Sequence, residues 1–576
     1  MAFRTQPVNQ DQRSRPDKLD ARLWRIAGVC VLGSIMTMVD TSVVTVAQRT
    51  FVATFGSPQA VVAWTITGYA LALAAVIPLA GWAADRFGTK RLFIGSILVF
   101  TLGSLLCAIA PNIASLIAFR VVQGLGGGML TPLVLTIVNR EAGPNRVGRV
   151  MAVLGIPVVL GPAFGPVLGG WLIDSHSWQW IFWINLPVGV AAFGLGAIVL
   201  PHDHPAPSET FDFVGMLLLS PGLPAFLYGM SEIPSCGTVA DRRVWIPAAI
   251  GMALMVGFVF HALYRAENPL IDLRLLTNRA LTLANAAMFL YIVSTFGAAV
   301  LFPSYFQQLL HHTPLQAGMS LVPRAIGAAL TIPLAGALVD RRGGHGVLVT
   351  GITLIAAGMG TFAYGVATQR DYLPTLLTGL TILGLGMGCT RMPLVAVAMQ
   401  SLAPNQIARG STLIKVNQQM AAAVGTALVS VILASQLNRG ENNSGTNEIA
   451  ILQDSPARRG TSVDQPVMPG QPLSPALPDN LLHDLSHAYS VVFVVAVVLV
   501  GLVFVPLALL PRRSTGAGTE PNAVAPTRTR TRRAQRRRAT QWAVIDRRST
   551  MDCRPKQLNE GARSADEGHK LGEQSF

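Results

Sequence analysis

Two charged residues stand where charge is expensive. Asp40 lies in the apolar run VCVLGSIMTMVDTSVVTVA, and Arg120 lies in IASLIAFRVVQGLGGGML. An ionisable group inside such a run marks a functional position by default. Each lies about six or seven residues from the same-side end of its run, about 10 Å deep at 1.5 Å per residue. An ion pair between them is therefore geometrically reasonable. Desolvation favours the neutral carboxyl group and a neighbouring cation favours the charged one. A pair of this kind can exchange a proton, or it can be a static buried pair.

Three further cations occupy apolar runs: Arg324 in LVPRAIG, Arg391 in CTRMPLVA and Lys415 in TLIKVNQQ. Arg391 and Lys415 are close enough to a run's end for their long stems to snorkel outward. Arg324 is nearer the middle and less able to escape. Polar Gln123 and Gln418, with aromatic Tyr69, Phe119, Tyr291, Phe296, Tyr305 and Phe306, could line a cavity that accepts flat hydrophobic molecules. Each aromatic taken singly is equally compatible with plain packing.

The elements that must position these residues are membrane spans. The chain has 576 residues, of which 51% are hydrophobic and only 13% charged, with a mean hydropathy of +0.47. That composition excludes an ordinary soluble domain. Fourteen runs are long enough to cross about 30 Å of hydrocarbon: 24–46, 62–82, 91–110, 113–138, 148–172, 180–200, 211–230, 244–263, 281–306, 316–338, 346–367, 373–397, 408–435 and 488–510. Pro221 and Pro224 make the seventh run the least certain. Residues 1–21 lack the short apolar core of a cleavable leader, so none is expected.

Lys and Arg are distributed unevenly between alternate loops. With the N-terminus cytoplasmic, short inner loops hold twelve and short outer loops four. The bias predicts that both termini face the cytoplasm.

The chain repeats itself. IPLAGWAADRFG from Ile77 recurs as IPLAGALVDRRG from Ile332, offset by 255 residues, and GLGGGMLTPL from Gly124 is echoed by GLGMGCTRMPL from Gly384. Run 2 thus matches run 10, and run 4 matches run 12. Two six-helix halves would give a shift of six; the observed shift is eight, so runs 7 and 8 read as an insertion between two bundles facing one central site.

These motifs resemble the major facilitator superfamily, and within it the fourteen-helix drug:proton antiporters of the EmrB/QacA type. The resemblance rests on Gly81, Asp85, Arg86, Gly88, Lys90 and Arg91 between runs 2 and 3. It rests also on Arg120, Gln123, Gly124 and Gly128 in run 4, and on GIPVVLGPAFGPVLGGWL from Gly155 in run 5. WQWIFWINLPVG from Trp178, ENPLIDLRLLTNR from Glu267 and TPLQAGMSLVPR from Thr313 point to the fourteen-helix branch. It departs at Thr45, where Asn is expected, at Gln48-Arg49, where Leu-Pro is expected, and at Lys415, where Asn is expected.

The implied fold is an all-α polytopic membrane protein. Residues 1–23 form a cytoplasmic segment, 24–200 a six-helix bundle, 201–263 two inserted helices and 281–510 a second six-helix bundle with an outer loop at 436–487. Residues 511–576 form a basic cytoplasmic tail. The implied activity is proton-coupled efflux of lipophilic compounds across a bacterial cytoplasmic membrane, with protons and small molecules as partners and no cofactor. A proton from outside would neutralise Asp40, free Arg120 and favour drug release. Asp85, Arg86 and Arg91, with Asp340 and Arg341 in the second copy, would latch the cytoplasmic side shut; a topological anchor explains the same basic residues. Gly81 and Gly88 belong to the same latch motif, and Gly88 would supply the backbone freedom of a tight turn. In run 5, Gly155, Pro157, Gly161, Pro162, Gly165, Pro166, Gly169 and Gly170 suit a bent gating helix. One intramembrane carboxylate against four cations points to neutral, weakly anionic or monocationic substrates, with Gln123, Arg324, Tyr291, Phe296, Tyr305 and Gln418 as cavity candidates.

Enzymatic chemistry finds no scaffold. The glycines from Gly124 to Gly128 sit inside an apolar run with no following Lys-Ser/Thr, so they serve helix packing rather than phosphate binding. His483, Asp484 and His487 span one helical turn and could bind a metal only with a further fixed ligand, and the five cysteines show neither metal nor disulfide spacing. TRTRTRRAQRRR from Thr527 suits anionic lipid rather than nucleic acid. Two other functions remain open: export of one endogenous lipid, siderophore or amino acid, and a membrane receptor that has lost transport. An adaptor protein is not legible.

Overall fold

The computed structural model describes residues 20–143, 146–201, 211–233, 240–310, 312, 314–368, 372–444 and 479–510. The basic tail, Cys236, Cys553 and most of the loop 436–487 lie outside the described residues, as do the side chains of His483 and Asp484. Among the described residues no group of three or more His, Cys, Asp or Glu is placed to hold a metal ion.

Among the described residues, thirteen helices are long and apolar enough to cross a membrane. In chain order they are α1 (Ala21–Val46), α2 (Gln59–Phe87), α3 (Thr89–Ala108), α4 (Ile113–Ala142), α6 (Trp180–Val199), α7 (Phe213–Ser231) and α8 (Arg242–Arg265), then α9 (Arg279–Gln308), α10 (Gln316–Arg342), α11 (Gly344–Ala367), α12 (Tyr372–Gln400), α13 (Pro404–Gln436) and α14 (Leu485–Ala508). Between α4 and α6 runs α5 (Val147–Ser175), an unbroken helix of 29 residues. At 1.5 Å per residue it is about 43 Å long, enough to span hydrocarbon. Every run expected from the sequence coincides with one of these helices. Pro221 and Pro224 lie inside α7 without breaking it. Helices are the expected outcome, because backbone groups in lipid must be satisfied within their own segment. Large apolar side chains such as Val190, Ile198, Phe260 and Leu330 remain exposed, as a lipid-facing surface requires.

The duplication is visible in the packing. In the first half α1 packs on α5 and α6, α4 on α2 and α3, and α3 on α6. In the second half α9 packs on α13 and α14, α12 on α10 and α11, and α11 on α14. Each pair maps onto its counterpart with a shift of eight helices. The halves meet through α5 on α10 and α12, and through α13 on α2 and α4. Helices α7 and α8 pack on each other, and α7 lies across the α2 and α13 side of the junction. There Trp64 stacks on Tyr228 with ring centroids 5.6 Å apart, and Ile233 and Val244 pack with Ala427.

Candidate functional site

Helix α1 carries Asp40 and α4 carries Arg120, and the fold brings them into contact. The Arg120 guanidinium Nη1 donates to Asp40 Oδ2 at 2.6 Å, with side-chain exposures of 1% and 0%. The same nitrogen donates to Gln123 Oε1 at 2.6 Å, while Gln123 Nε2 donates to Asp40 Oδ1 at 2.9 Å. Arg120 Nε reaches the Thr65 carbonyl at 3.1 Å, and the guanidinium lies 4.1 Å from the Tyr69 ring centroid. Asn185 of α6 completes the shell, donating to Asp40 Oδ1 at 3.1 Å. Its amide also donates to Ser104 Oγ. The carboxylate thus holds three donors from two other helices. Gln123, expected on a cavity wall, belongs instead to this buried network. Asn185 was not singled out from the sequence; the signal was a lone amide in the apolar WINLPVG segment.

The turns of the internal repeat behave as a matched pair. Gly88 closes α2 at φ 92° and Gly343 closes α10 at φ 85°, a region where an L side chain is strained. Asp340, at the end of α10, accepts from the backbone N–H of Gly148 at 2.7 Å and of Arg149 at 3.0 Å, and from Arg149 Nε at 3.0 Å. It caps the first turn of α5 in the other half, where a carboxylate also meets the positive end of the helix dipole. Asp85, at the end of α2, pairs with Arg140 of its own half at 2.7 Å and lies 4.0 Å from Arg409 of α13.

Behind each aspartate is a glycine at a helix crossing. A Cβ on Gly336 would come within 2.5 Å of the Gly148 carbonyl, and one on Gly81 within 2.9 Å of Thr412 Oγ1 and 3.2 Å of the Ala408 carbonyl. Arg86 and Arg341 sit in the last turns of α2 and α10, and Arg91 follows in the first turn of α3.

Above this closed end a cavity of about 800 Å³ separates the halves. Its N-terminal wall is α5, through Gly155, Val158, Pro166, Val167, Gly170, Trp171 and Asp174, with Val46 at the far end of α1. The opposite wall comes from α9, α10 and α12 and includes Tyr291, Phe296, Arg324 and Arg391. The cavity reaches the ends of α1 and α5 remote from Asp340. Beneath it a chamber of about 40 Å³ is lined by Thr37, Arg391, Lys415 and Gln418 among others. Arg391 and Lys415 therefore face the junction between the halves rather than snorkelling outward. Tyr305 is placed elsewhere, in an aromatic cluster with Phe306, Phe362 and Tyr489.

Helix α5 has two working faces. A Cβ on Gly161 would meet Met38 at 2.8 Å, and one on Gly169 would meet Val43 at 2.9 Å. Between them, Gly165 leaves room for Ser42, whose hydroxyl donates to the Gly161 carbonyl at 3.2 Å. These glycines make a groove for α1 on either side of Asp40. Gly155 faces the other way, where a Cβ would meet Met392 at 2.8 Å and Ile332 at 3.2 Å. Pro157 is buried, and Pro162 lies outside the described side chains. The helix is unbroken, and Gly155, Gly161, Gly165 and Gly169 act here as close-packing sites.

Two mirrored bundles around a central cavity define a membrane transport fold. The chain belongs to the Major Facilitator Superfamily, whose family model matches residues 30–426. It is 59% identical over 502 residues to the Multidrug resistance protein B homolog of Mycobacterium tuberculosis, covering 87% of this chain and 92% of that protein. The Multidrug export protein EmrB of Haemophilus influenzae is 29% identical over 405 residues, covering 69% and 78%. Among solved structures, the human organic anion transporter MFSD10 superposes with a TM-score of 0.54 at 16% identity, covering 83% of this chain and 99% of that one. The proton:xylose symporter XylE gives 0.52 at 14% identity, covering 86% and 97%. At those identities the structural likeness bears on the fold alone.

Proposed function

We propose that this chain exports lipophilic drugs and toxic compounds across the cytoplasmic membrane in exchange for protons, by alternating access. The proton gradient is the energy source, and both termini are cytoplasmic. The observation that carries the reading is the placement of Asp40. It is a buried carboxylate on α1, paired with Arg120 on α4, and α1 lies in the glycine groove of α5, whose other face walls the cavity.

The mechanism follows from the pair's electrostatics. While Asp40 is ionised it holds Arg120 and the amides of Gln123 and Asn185. Protonation removes the attraction, and a buried guanidinium without its counter-ion is costly enough to drive repacking. Movement of α1 is passed to α5 through Met38, Ser42 and Val43, and α5 both borders the cavity and begins in the turn that Asp340 caps. Loss of the proton to the cytoplasmic side restores the pair. The relatives named for multidrug resistance and export support the choice of lipophilic drugs as substrates.

The test is dye efflux from inside-out vesicles with and without a proton uncoupler, comparing the native chain with Asp40→Asn. Uncoupler-sensitive efflux that vanishes in the variant is expected. Uphill pumping by Asp40→Asn would remove Asp40 from the coupling step, and no native efflux of any dye would overturn the drug-export reading.

A further inference from the structure

The second half of the molecule carries three cations turned toward the junction, and among the described residues none has a carboxylate partner. Arg324 and Arg391 line the large cavity, and Arg391 also borders the chamber beneath, with Lys415. Other cations of the fold have acidic partners: Arg120 has Asp40, Arg140 has Asp85 and Arg149 has Asp340. Arg324 has instead the Phe302 ring, 5.3 Å from its guanidinium carbon, and Arg391 has the Phe296 ring at 5.8 Å. Lys415 Nζ donates to Gln418 Oε1 at 3.3 Å, a neutral acceptor. Among the described residues the one carboxylate on the cavity wall, Asp174, lies near the far end of α5.

Aromatic faces offset only part of the cost of holding cations out of water. A pair of guanidinium groups supplies planar, multidentate donors suited to carboxylate, sulfonate or phosphate oxygens. Beside them the wall is apolar, with Phe296, Met319, Ile332 and Met392 on one side and Val167 and Trp171 on the other.

We infer that Arg324 and Arg391 form an anion subsite in the cavity, which takes the negatively charged head of an amphiphile while its flat apolar body lies against Phe296, Ile332, Met392 and Trp171. This assignment rests on the export reading and narrows its substrate class to anionic amphiphiles. Lys415 adds positive potential from the chamber below, and organic cations are disfavoured.

The experiment uses the full chain in phosphatidylcholine nanodiscs and three pyrene probes of similar shape: pyrene-1-sulfonate, the neutral pyrene-1-sulfonamide and a pyrenylmethyl trimethylammonium. The sulfonate is expected to bind at least about tenfold tighter than the sulfonamide, with the cation weakest. Arg324→Gln and Arg391→Gln are expected to weaken the sulfonate about ten- to a hundredfold and to leave the sulfonamide within about twofold. Arg391→Lys keeps part of the preference. Equal affinity for all three probes, or tightest binding of the trimethylammonium, overturns the subsite. So does an equal loss of sulfonate and sulfonamide in the Gln variants. A photoreactive aryl-azide sulfonate on the native chain needs no variant: labelling of the α10 and α12 peptides carrying Arg324 and Arg391 supports the assignment, and labelling confined to other helices overturns it.

Added phosphatidylglycerol that competes with the sulfonate assigns the site to a lipid headgroup, and failure to compete assigns it to a free amphiphile; both outcomes keep the anion chemistry. Binding is read without a proton gradient, so the two readings fail separately. Sulfonate-selective binding without uphill efflux sinks export and leaves the subsite. Uncoupler-sensitive efflux with no preference for the sulfonate sinks the subsite and leaves export.

Discussion

Asp340 of one half accepts a hydrogen bond at 2.7 Å from the backbone N–H of Gly148 in the other half. The carboxylate is fully buried and also takes Arg149 Nε at 3.0 Å. A charge-assisted bond of this kind contributes about 1.5–3 kcal/mol, so the contact biases which end of the transporter is shut. Asp340→Asn keeps the shape and an acceptor but loses the charge. The closed population at this end is expected to fall about ten- to a hundredfold relative to the open one. Spin-label distances between the ends of α5 and α10 check this; an unchanged distance distribution would show that the ion pair is incidental to closure.

Gly336 tests the same junction by shape instead of charge. Its missing Cβ leaves room for the Gly148 carbonyl and for Ala152, at 2.5 and 2.7 Å from where that Cβ would stand. Backbone cannot swing aside as a flexible side chain can, and overpacking of this kind costs about 1–3 kcal/mol. Gly336→Ala is expected to open this end and slow turnover with little change in probe binding. Gly360→Ala in α11, away from the cavity, is the control, since nothing lies within 4 Å of a Cβ there. Equal turnover in the two variants would mean that the crossing is looser than the structure shows.

The buried pair predicts an order of stabilities. Arg120→Gln leaves the Asp40 carboxylate uncompensated and is expected to cost about 3–5 kcal/mol. Asn185→Ala removes one hydrogen bond to a charged group and costs about 1.5–3 kcal/mol. Thermal unfolding in detergent should therefore rank native above Asn185→Ala above Arg120→Gln. A double Asp40→Asn, Arg120→Gln variant is expected to recover part of the loss, because neither charge is then left alone. A double variant less stable than Arg120→Gln would argue that Asp40 is held by its amide donors alone.

What was legible in the sequence was whatever announces itself locally. A carboxylate in an apolar run, an aspartate at the end of a repeated motif and a glycine at a turn are each visible without knowing the partner. Their partners were not. Arg149 and Arg409 read as loop cations that set topology, and only the crossings of α5 with α10 and of α13 with α2 bring them to Asp340 and Asp85. Tyr291 and Tyr305 illustrate the other limit. Both lie on α9, and in a helix apolar on every side nothing in the pattern tells which aromatic meets the cavity and which packs inside its own bundle. Arg391 and Lys415 meet a similar limit: depth along a helix can be counted from its ends, whereas the direction a side chain takes depends on the neighbouring helix.

The proposed coupling runs through the groove that α5 offers to α1, and one contact isolates it. Gly165 stands where a Cβ would overlap the Ser42 hydroxyl, and Ser42 lies half a turn from Asp40. Gly165→Ala is therefore expected to push α1 away from α5, lowering the thermal midpoint and the uphill efflux rate together. Ser42→Gly removes the overlapping atoms, at the loss of the bond from Ser42 to the Gly161 carbonyl. If the clash is the cause, the double variant Gly165→Ala, Ser42→Gly regains efflux relative to Gly165→Ala, with an interaction free energy of about 1–2 kcal/mol between the sites. Purely additive effects would place the defect elsewhere on α5 and remove this contact from the path between Asp40 and the cavity wall. Energised efflux measured on the four members of the cycle distinguishes the two, since stability alone can be regained by repacking that leaves α1 and α5 uncoupled.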